Sequence, residues 1–249
     1  MRIVRAIAEL PSLDGSVGLV PTMGAFHDGH LSLFRTAAAE NDTVVASLFV
    51  NPAQFGPGED LGQYPRDEER DARAAEGAGV DVLLTPGADE LYPPGFETWV
   101  ELEQLGHTLE GKFRPDHFRG VATICLKLFN IVRPDRAYFG QKDAQQAAVV
   151  KRMVADLNVP VKIRVLPTIR DADGLALSSR NAYLAPEERE RALTLPRALA
   201  TRDPDAARTA LNGLEVDYVA VADFEPRVLA AAVRIGKTRL IDNVVLEDQ

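Results

Sequence analysis

The sequence predicts an α/β fold, a doubly wound, Rossmann-like parallel sheet followed by a smaller C-terminal α+β lid. Two patterns predict it: short apolar strands alternate with longer helical stretches up to about residue 166, and the texture changes beyond Pro167. Residues 17–20 read as a strand, 21–30 as a turn-rich segment, and Leu31, Phe34 and Ala38 as the inner face of a helix. Residues 43–50 form a nearly unbroken apolar, β-branched run, the pattern of a strand buried on both faces, and parallel strands need helical crossovers. One crossover is expected over 67–78, leaving through Gly77 and Gly79 into a strand at 80–84. A helix at 121–132, a strand at 136–139, a helix at 143–157 and a strand at 161–166 continue the alternation. Past 168 come a turn at 171–174, a polar stretch at 178–181, a helix from Pro186 to about 202, another through 210, and strands at 216–221 and near Leu240. The expected division is 1–168 for the sheet domain and 169–249 for the lid.

The chain has 249 residues, enough for a large core. Its 28 Lys and Arg against 37 Asp and Glu leave a net charge of -9, which disfavours nucleic acid and anionic membrane surfaces as partners. No apolar run approaches the roughly 20 residues of a membrane span, and Glu9 interrupts any signal-like stretch at the start. The single cysteine, Cys125, excludes an internal disulfide or a thiolate metal cluster and suits a cytoplasmic setting. Its neighbours Ile124 and Leu126 place it in the core, away from any reaction.

The most informative segment is ProThrMetGlyAlaPheHisAspGlyHis (21–30). It sets two of the four histidines, His27 and His30, three residues apart where a strand gives way to a helix. A helix N-terminus offers unpaired N–H groups and a positive dipole end, so imidazoles there join backbone donors around phosphate oxygens. Gly24 and Gly29 let the backbone approach closely. A zinc pair would lack a third ligand at metal-site spacing. Residues 139–146 (PheGlyGlnLysAspAlaGlnGln) also follow a strand and open a helix, which puts Lys142 and Asp143 at the edge where open sheets bind ligands. By itself this segment is equally a helix start capped by Asp143. Residues 177–181 (LeuSerSerArgAsn) offer two hydroxyls and a planar cation suited to polyphosphate, and alone read as a capping loop. GlyLysThr at 236–238 is no P-loop, because Ala231 stands where its first glycine belongs. The glycines of 56–62 have the wrong spacing for a dinucleotide fingerprint, so no nicotinamide or flavin is expected, and 171–174 lacks the remaining ligands of a calcium loop.

Together with PheValAsnProAlaGlnPhe (49–55), TyrProArg (64–66), HisPheArgGlyValAlaThr (117–123), AspGlyLeuAlaLeuSerSerArgAsn (173–181) and ArgLeuIleAspAsn (239–243), these segments resemble the pantothenate synthetase (pantoate:β-alanine ligase) family of the HxGH nucleotidyltransferases. The resemblance spans nearly the whole chain in the family's order. Two departures stand out: Leu177 replaces the family's usual Met, and the C-terminal part is shorter than in typical members.

The resemblance implies that ATP, accompanied by Mg²⁺, and pantoate form pantoyl adenylate with loss of pyrophosphate. β-Alanine then attacks the acyl carbon, giving pantothenate and AMP, and the family is homodimeric. By matching motifs, Met23, Gly24, Ala25, Phe26, His27, Asp28, Gly29, His30, Gly140, Gln141, Lys142, Asp143, Ile169, Leu177, Ser178, Ser179 and Arg180 would contact ATP. His30 would be the proton donor, with His27, Lys142, Arg180 and the two serines stabilising phosphate charge. Gln54 would touch pantoate and β-alanine, Gln146 would touch pantoate, and Tyr64 and Arg66 would shape that pocket. No protein side chain is assigned to a metal, and no structural metal is expected.

These residue types suit such chemistry. A carboxylate attacking an anionic phosphorus needs cations on the phosphates and neutral donors, such as Gln, on itself. His117 and Arg119 read as structural because their segment opens a helix, and His107 as a surface residue. Two other readings remain at this point: a nucleotidylyltransferase that keeps AMP in its product, and an ATP-sensing module without turnover. The acidic charge and the lack of a large tRNA-binding region disfavour an aminoacyl-tRNA synthetase.

Overall fold

Six strands lie parallel in one sheet: β1 (Arg2–Val4), β2 (Val17–Thr22), β3 (Thr43–Leu48), β4 (Val82–Leu84), β5 (Arg136–Gly140) and β6 (Lys162–Leu166). The computed structural model describes residues 1–246, so the last three residues of the expected lid segment lie outside it. The strand order is β1-β4-β3-β2-β5-β6. The chain thus builds outward from β2 through β3 to β4, then returns to place β5 on the other side of β2. That reversal makes a topological switch point between β2 and β5, and ligands of open α/β sheets bind outside the carboxyl ends of the strands there.

Successive side chains of a strand point to opposite faces, and both faces are covered. Leu19, Val45 and Leu84 are buried with the helices His117–Val132 and Ala144–Asp156. Val20, Val44, Ala46 and Leu83 are buried with Asp28–Glu40 and Glu68–Gly77. The unbroken hydrophobicity of 43–50 follows from this double burial.

A second, antiparallel sheet comprises β7 (Glu215–Ala222), β8 (Val228–Ile235) and β9 (Thr238–Val245), packed against Pro186–Ala192, Thr194–Leu199 and Pro204–Ala210. Strands β1 and β8 were not expected. In β8, three consecutive alanines and a fully apolar run hide any alternation, because the middle strand of the sheet is buried on both faces. The single helix expected from Pro186 to about 202 is two, since Pro196 cannot donate to the carbonyl of Ala192 and its ring crowds it. Ala144, at the start of its helix, is buried together with Ala222, Val228 and Ala230, so the two sheets share apolar contact.

Candidate active site

The turn after β2 is built around a buried carboxylate. Gly24 (φ +89°) and Ala25 (φ +53°) take left-handed conformations that turn the chain sharply. Asp71, 1% exposed in the helix Glu68–Gly77, then accepts the N–H groups of Ala25 and Phe26 at 2.7 and 2.8 Å. A Cβ on Gly24 would come within 2.9 Å of this carboxylate. Burial pushes the Asp71 carboxyl up, against the two amides that favour its charge. Phe26 drops into the core and meets Phe34 edge-on.

His27 caps the following helix, its Nδ1 accepting the N–H of Gly29 at 3.2 Å. His30 Nδ1 accepts the N–H of His27 at 3.4 Å, and the two rings lie 4.2 Å apart. Burial, then Lys142, brings His27 down to about 4, and burial, then His27, brings His30 down to about 3. Both rings are therefore neutral at physiological pH, and a Nδ1 that accepts an amide leaves the proton on Nε2. Two Nε2–H donors result.

Gln54 is buried at 7% exposure in a turn after β3. Its Oε1 accepts from Asn51 Nδ2 at 3.0 Å, which turns its own amide nitrogen toward the Met23 sulfur at 3.0 Å. A thioether is a weak acceptor, so this N–H is easily given up to a ligand. The Gln54 carbonyl lies 2.8 Å from His117 Nδ1, and Arg114 closes the far side through Glu59. Burial and then Arg114 hold the His117 ring down to about 3, and this contact joins it to the turn. A Cβ on Gly120 would overlap the Ala53 carbonyl, so this turn fits only against a glycine.

The turn after β5 places Lys142 beside Asp143, Nζ to Oδ1 at 3.3 Å. Asp143 makes no side-chain capping bond to the helix behind it. Burial works to raise its carboxyl, yet Lys142 beside it holds it below its ordinary value. Gln145 is buried and tied to the amide of Glu110 and the carbonyls of Leu105 and Thr108. Gln146, one residue on, makes no side-chain hydrogen bond among the described residues and lines the cavity. Gln141 turns away and donates to Asn243.

Arg180 forms two bonds of 3.0 Å to Asp60, which sits in a short turn after the glycine-rich loop. Ser178 accepts the amide of Arg180, and Ser179 Oγ lies 3.3 Å from the buried hydroxyl of Tyr64. Arg66 binds the carbonyls of Leu61 and Tyr64. Ile169 and Leu177 are joined by a backbone hydrogen bond and offer two apolar side chains at the rim.

One cavity outside the switch point gathers these groups. Met23, His27, Gly29, His30, Gln54, Gly140, Lys142, Asp143, Gln146, Ile169, Leu177, Ser178, Ser179 and Arg180 all line it. Gly24, Ala25, Phe26, Asp28 and Gln141 do not: the first three belong to the Asp71 turn and the core, Asp28 is exposed, and Gln141 faces Asn243. Cys125 is 4% exposed, and burial pushes its thiol up to about 12, far from a nucleophile. Asp71, Asn51 and Asn243 escaped sequence reasoning. Asp71 sits among Glu68, Glu69, Arg70 and Arg73, which read as a solvated face, while Asn51 and Asn243 lie inside quoted motifs with nothing local to show what they hold.

The chain is similar over nearly its whole length to proteins of one family. Residues 2–245 match the family model described as pantoate-beta-alanine ligase. A pantothenate synthetase of Moorella thermoacetica is 54% identical, covering 93% of this chain and 91% of its own. The crystal structure of pantothenate synthetase from Thermus thermophilus superposes with a TM-score of 0.93 at 46% identity, covering 98% of this chain and 99% of that one. A pantoate-beta-alanine ligase of Francisella tularensis, solved in complex with beta-gamma ATP and beta-alanine, gives 0.87 at 36% identity, with 98% and 97% covered. On a match that spans nearly every described residue, the chain belongs to the pantoate-beta-alanine ligase family.

Proposed function

We propose that the chain condenses pantoate with β-alanine at the cost of ATP, as an AMP-forming ligase working through pantoyl adenylate. The observation that carries the reading is the make-up of one cavity, which neutral Nε2–H donors, Lys142 and the neutral amides of Gln54 and Gln146 all line. His27, His30 and Lys142 hold the triphosphate and follow the charge that builds as pyrophosphate leaves. Gln54 and Gln146 grip pantoate without withdrawing electron density from its attacking carboxylate. Ile169 and Leu177 provide the apolar face for the base, and Arg180 exchanges Asp60 for phosphate oxygens. After adenylation, Gln54 orients the amine of β-alanine toward the acyl carbon.

Mg²⁺ bound with the nucleotide would neutralise part of its polyphosphate charge. Among the described residues no three His, Cys, Asp or Glu side chains are grouped to hold a metal ion. In this reading Asp143, which lines the cavity beside Lys142, would be the carboxylate to hold it. Residues 1–168 form the catalytic domain in this reading and 169–249 the lid. The protein acts as a cytoplasmic homodimer, and no described helix is long and apolar enough to cross a membrane.

The deciding experiment measures AMP release from ATP with pantoate and β-alanine supplied singly and together. Sustained release is expected only with both. AMP retained in the product would favour a nucleotidylyltransferase, and binding without turnover a sensor. Gln146→Glu sharpens the test by setting a carboxylate beside the pantoate carboxylate, a repulsion of about 4 kcal/mol at an effective dielectric near 20. Calorimetry should find pantoate binding nearly abolished and ATP binding retained; unchanged pantoate affinity would remove Gln146 from the site.

A further inference from the structure

The segment ArgLeuIleAspAsn at 239–243 has no role in the reading above, yet three of its side chains leave β9 for other parts of the molecule. Arg239 joins the buried Glu110 and Asp217. Asp242 takes Arg170 through both oxygens, at 2.6 and 3.0 Å. Asn243, 4% exposed, donates from Nδ2 to the carbonyls of Gln141 and Lys142, each at 2.9 Å, and accepts from Gln141 Nε2 at 3.1 Å. Its amide group is thereby engaged entirely by one turn, through two successive carbonyls. Aspartate there would set a charge against two carbonyl oxygens, and leucine would leave both without a donor. Asp242 secures the amide from behind, its Oδ1 accepting the backbone N–H of Asn243 at 2.8 Å while the same carboxylate holds Arg170, next to Ile169. One end of β9 therefore ties together the turn after β5 and the segment after β6.

We propose that Asn243 is a positioning residue for Lys142. It fixes the backbone from which the ammonium reaches the phosphates, so that docking of the antiparallel sheet and placement of this cation are one event. The proposal rests on the functional reading above, with Lys142 as the phosphate-binding cation.

A double-mutant cycle on AMP release tests it, using wild type, Asn243→Ala, Lys142→Ala and the double variant. Asn243→Ala should lower kcat/KM for ATP by about 10- to 100-fold, the scale for a misplaced reacting group, and leave KM for β-alanine unchanged. Combined with Lys142→Ala it should add less than about threefold, because the group it positions is already gone. Losses that multiply, or a raised KM for β-alanine, would overturn the proposal while leaving the functional reading intact. A wild-type protein that releases no AMP would overturn both. If circular dichroism shows Asn243→Ala unfolded, Asn243→Ser, which keeps one donor, goes through the same cycle under the same criteria.

Discussion

The turns after β2 and β5 flank the same cavity and are held by opposite chemistry. The first presents two amide N–H groups inward, and the buried carboxylate of Asp71 accepts both. The second presents two carbonyls, and the buried amide of Asn243 donates to both. Each anchor matches the backbone groups left over by its turn, since buried polar groups of the main chain must be paired. The anchors also differ in origin. Asp71 comes from a crossover helix of the same parallel sheet, whereas Asn243 reaches in from the antiparallel one. The histidine turn is thus complete once the parallel sheet has formed, and the lysine turn only once the second sheet has docked.

The most damaging way to break this comparison is Asp71→Ala. It leaves two buried N–H groups without an acceptor, at about 1 to 3 kcal/mol each, partly offset by removing a desolvated carboxylate. A loss of about 2 to 4 kcal/mol is expected from urea denaturation on that basis, with AMP release down by about 100-fold or more as His27 and His30 shift. Asp71→Asn, which keeps one acceptor oxygen, should fall between this variant and the wild type. Wild-type stability and turnover in the alanine variant would show that the turn holds its shape without the anchor.

Acid offers an intermediate effect that separates the two turns, since only the first carries histidines and leans on a third through Gln54. Burial holds His27 to about 4, and His30 and His117 to about 3, all below the ordinary 6.5. Between pH 6.5 and about 4 the unfolded chain binds protons that the folded one refuses. Stability is therefore full above 6.5 and falls as pH drops through this window, by at most about 1.4 kcal/mol per pH unit for each ring. The melting temperature should decline by several degrees from pH 7 to pH 5. A flat profile would mean the rings are charged in the folded protein.

The smallest effect is expected at Asp60. Its pair with Arg180 is partly exposed on both sides, so Asp60→Asn should cost about 1 kcal/mol or less. Released from Asp60, Arg180 is free for phosphate, and calorimetry should find ATP affinity equal or tighter. Weaker binding would show that Asp60 aims the guanidinium, which would make it a third anchor beside Asp71 and Asn243.

Much of this molecule is legible along the chain because its causes are local. The alternation of apolar runs with helical patterns announces the parallel sheet, and the strand-to-helix punctuation around His27, His30 and Lys142 announces where a ligand would lie. Such signals need only a residue and its near neighbours. Some local rules were present and passed over: Pro196 breaks a helix for a reason contained in four residues. Others were absent. Strand β8 shows no alternation because burial on both faces, a tertiary fact, erases it. Asp71 is one acid among several on a charged helix, and only the approach of the β2 turn turns it inward. Asn243 lies some hundred positions from the carbonyls it holds. The sequence by itself determined which elements form and where the chain turns, because propensity and periodicity act over a few residues. Tertiary structure alone decided which buried polar groups meet, because a hydrogen bond between distant segments depends on how whole layers pack, and no short window of sequence carries that distance.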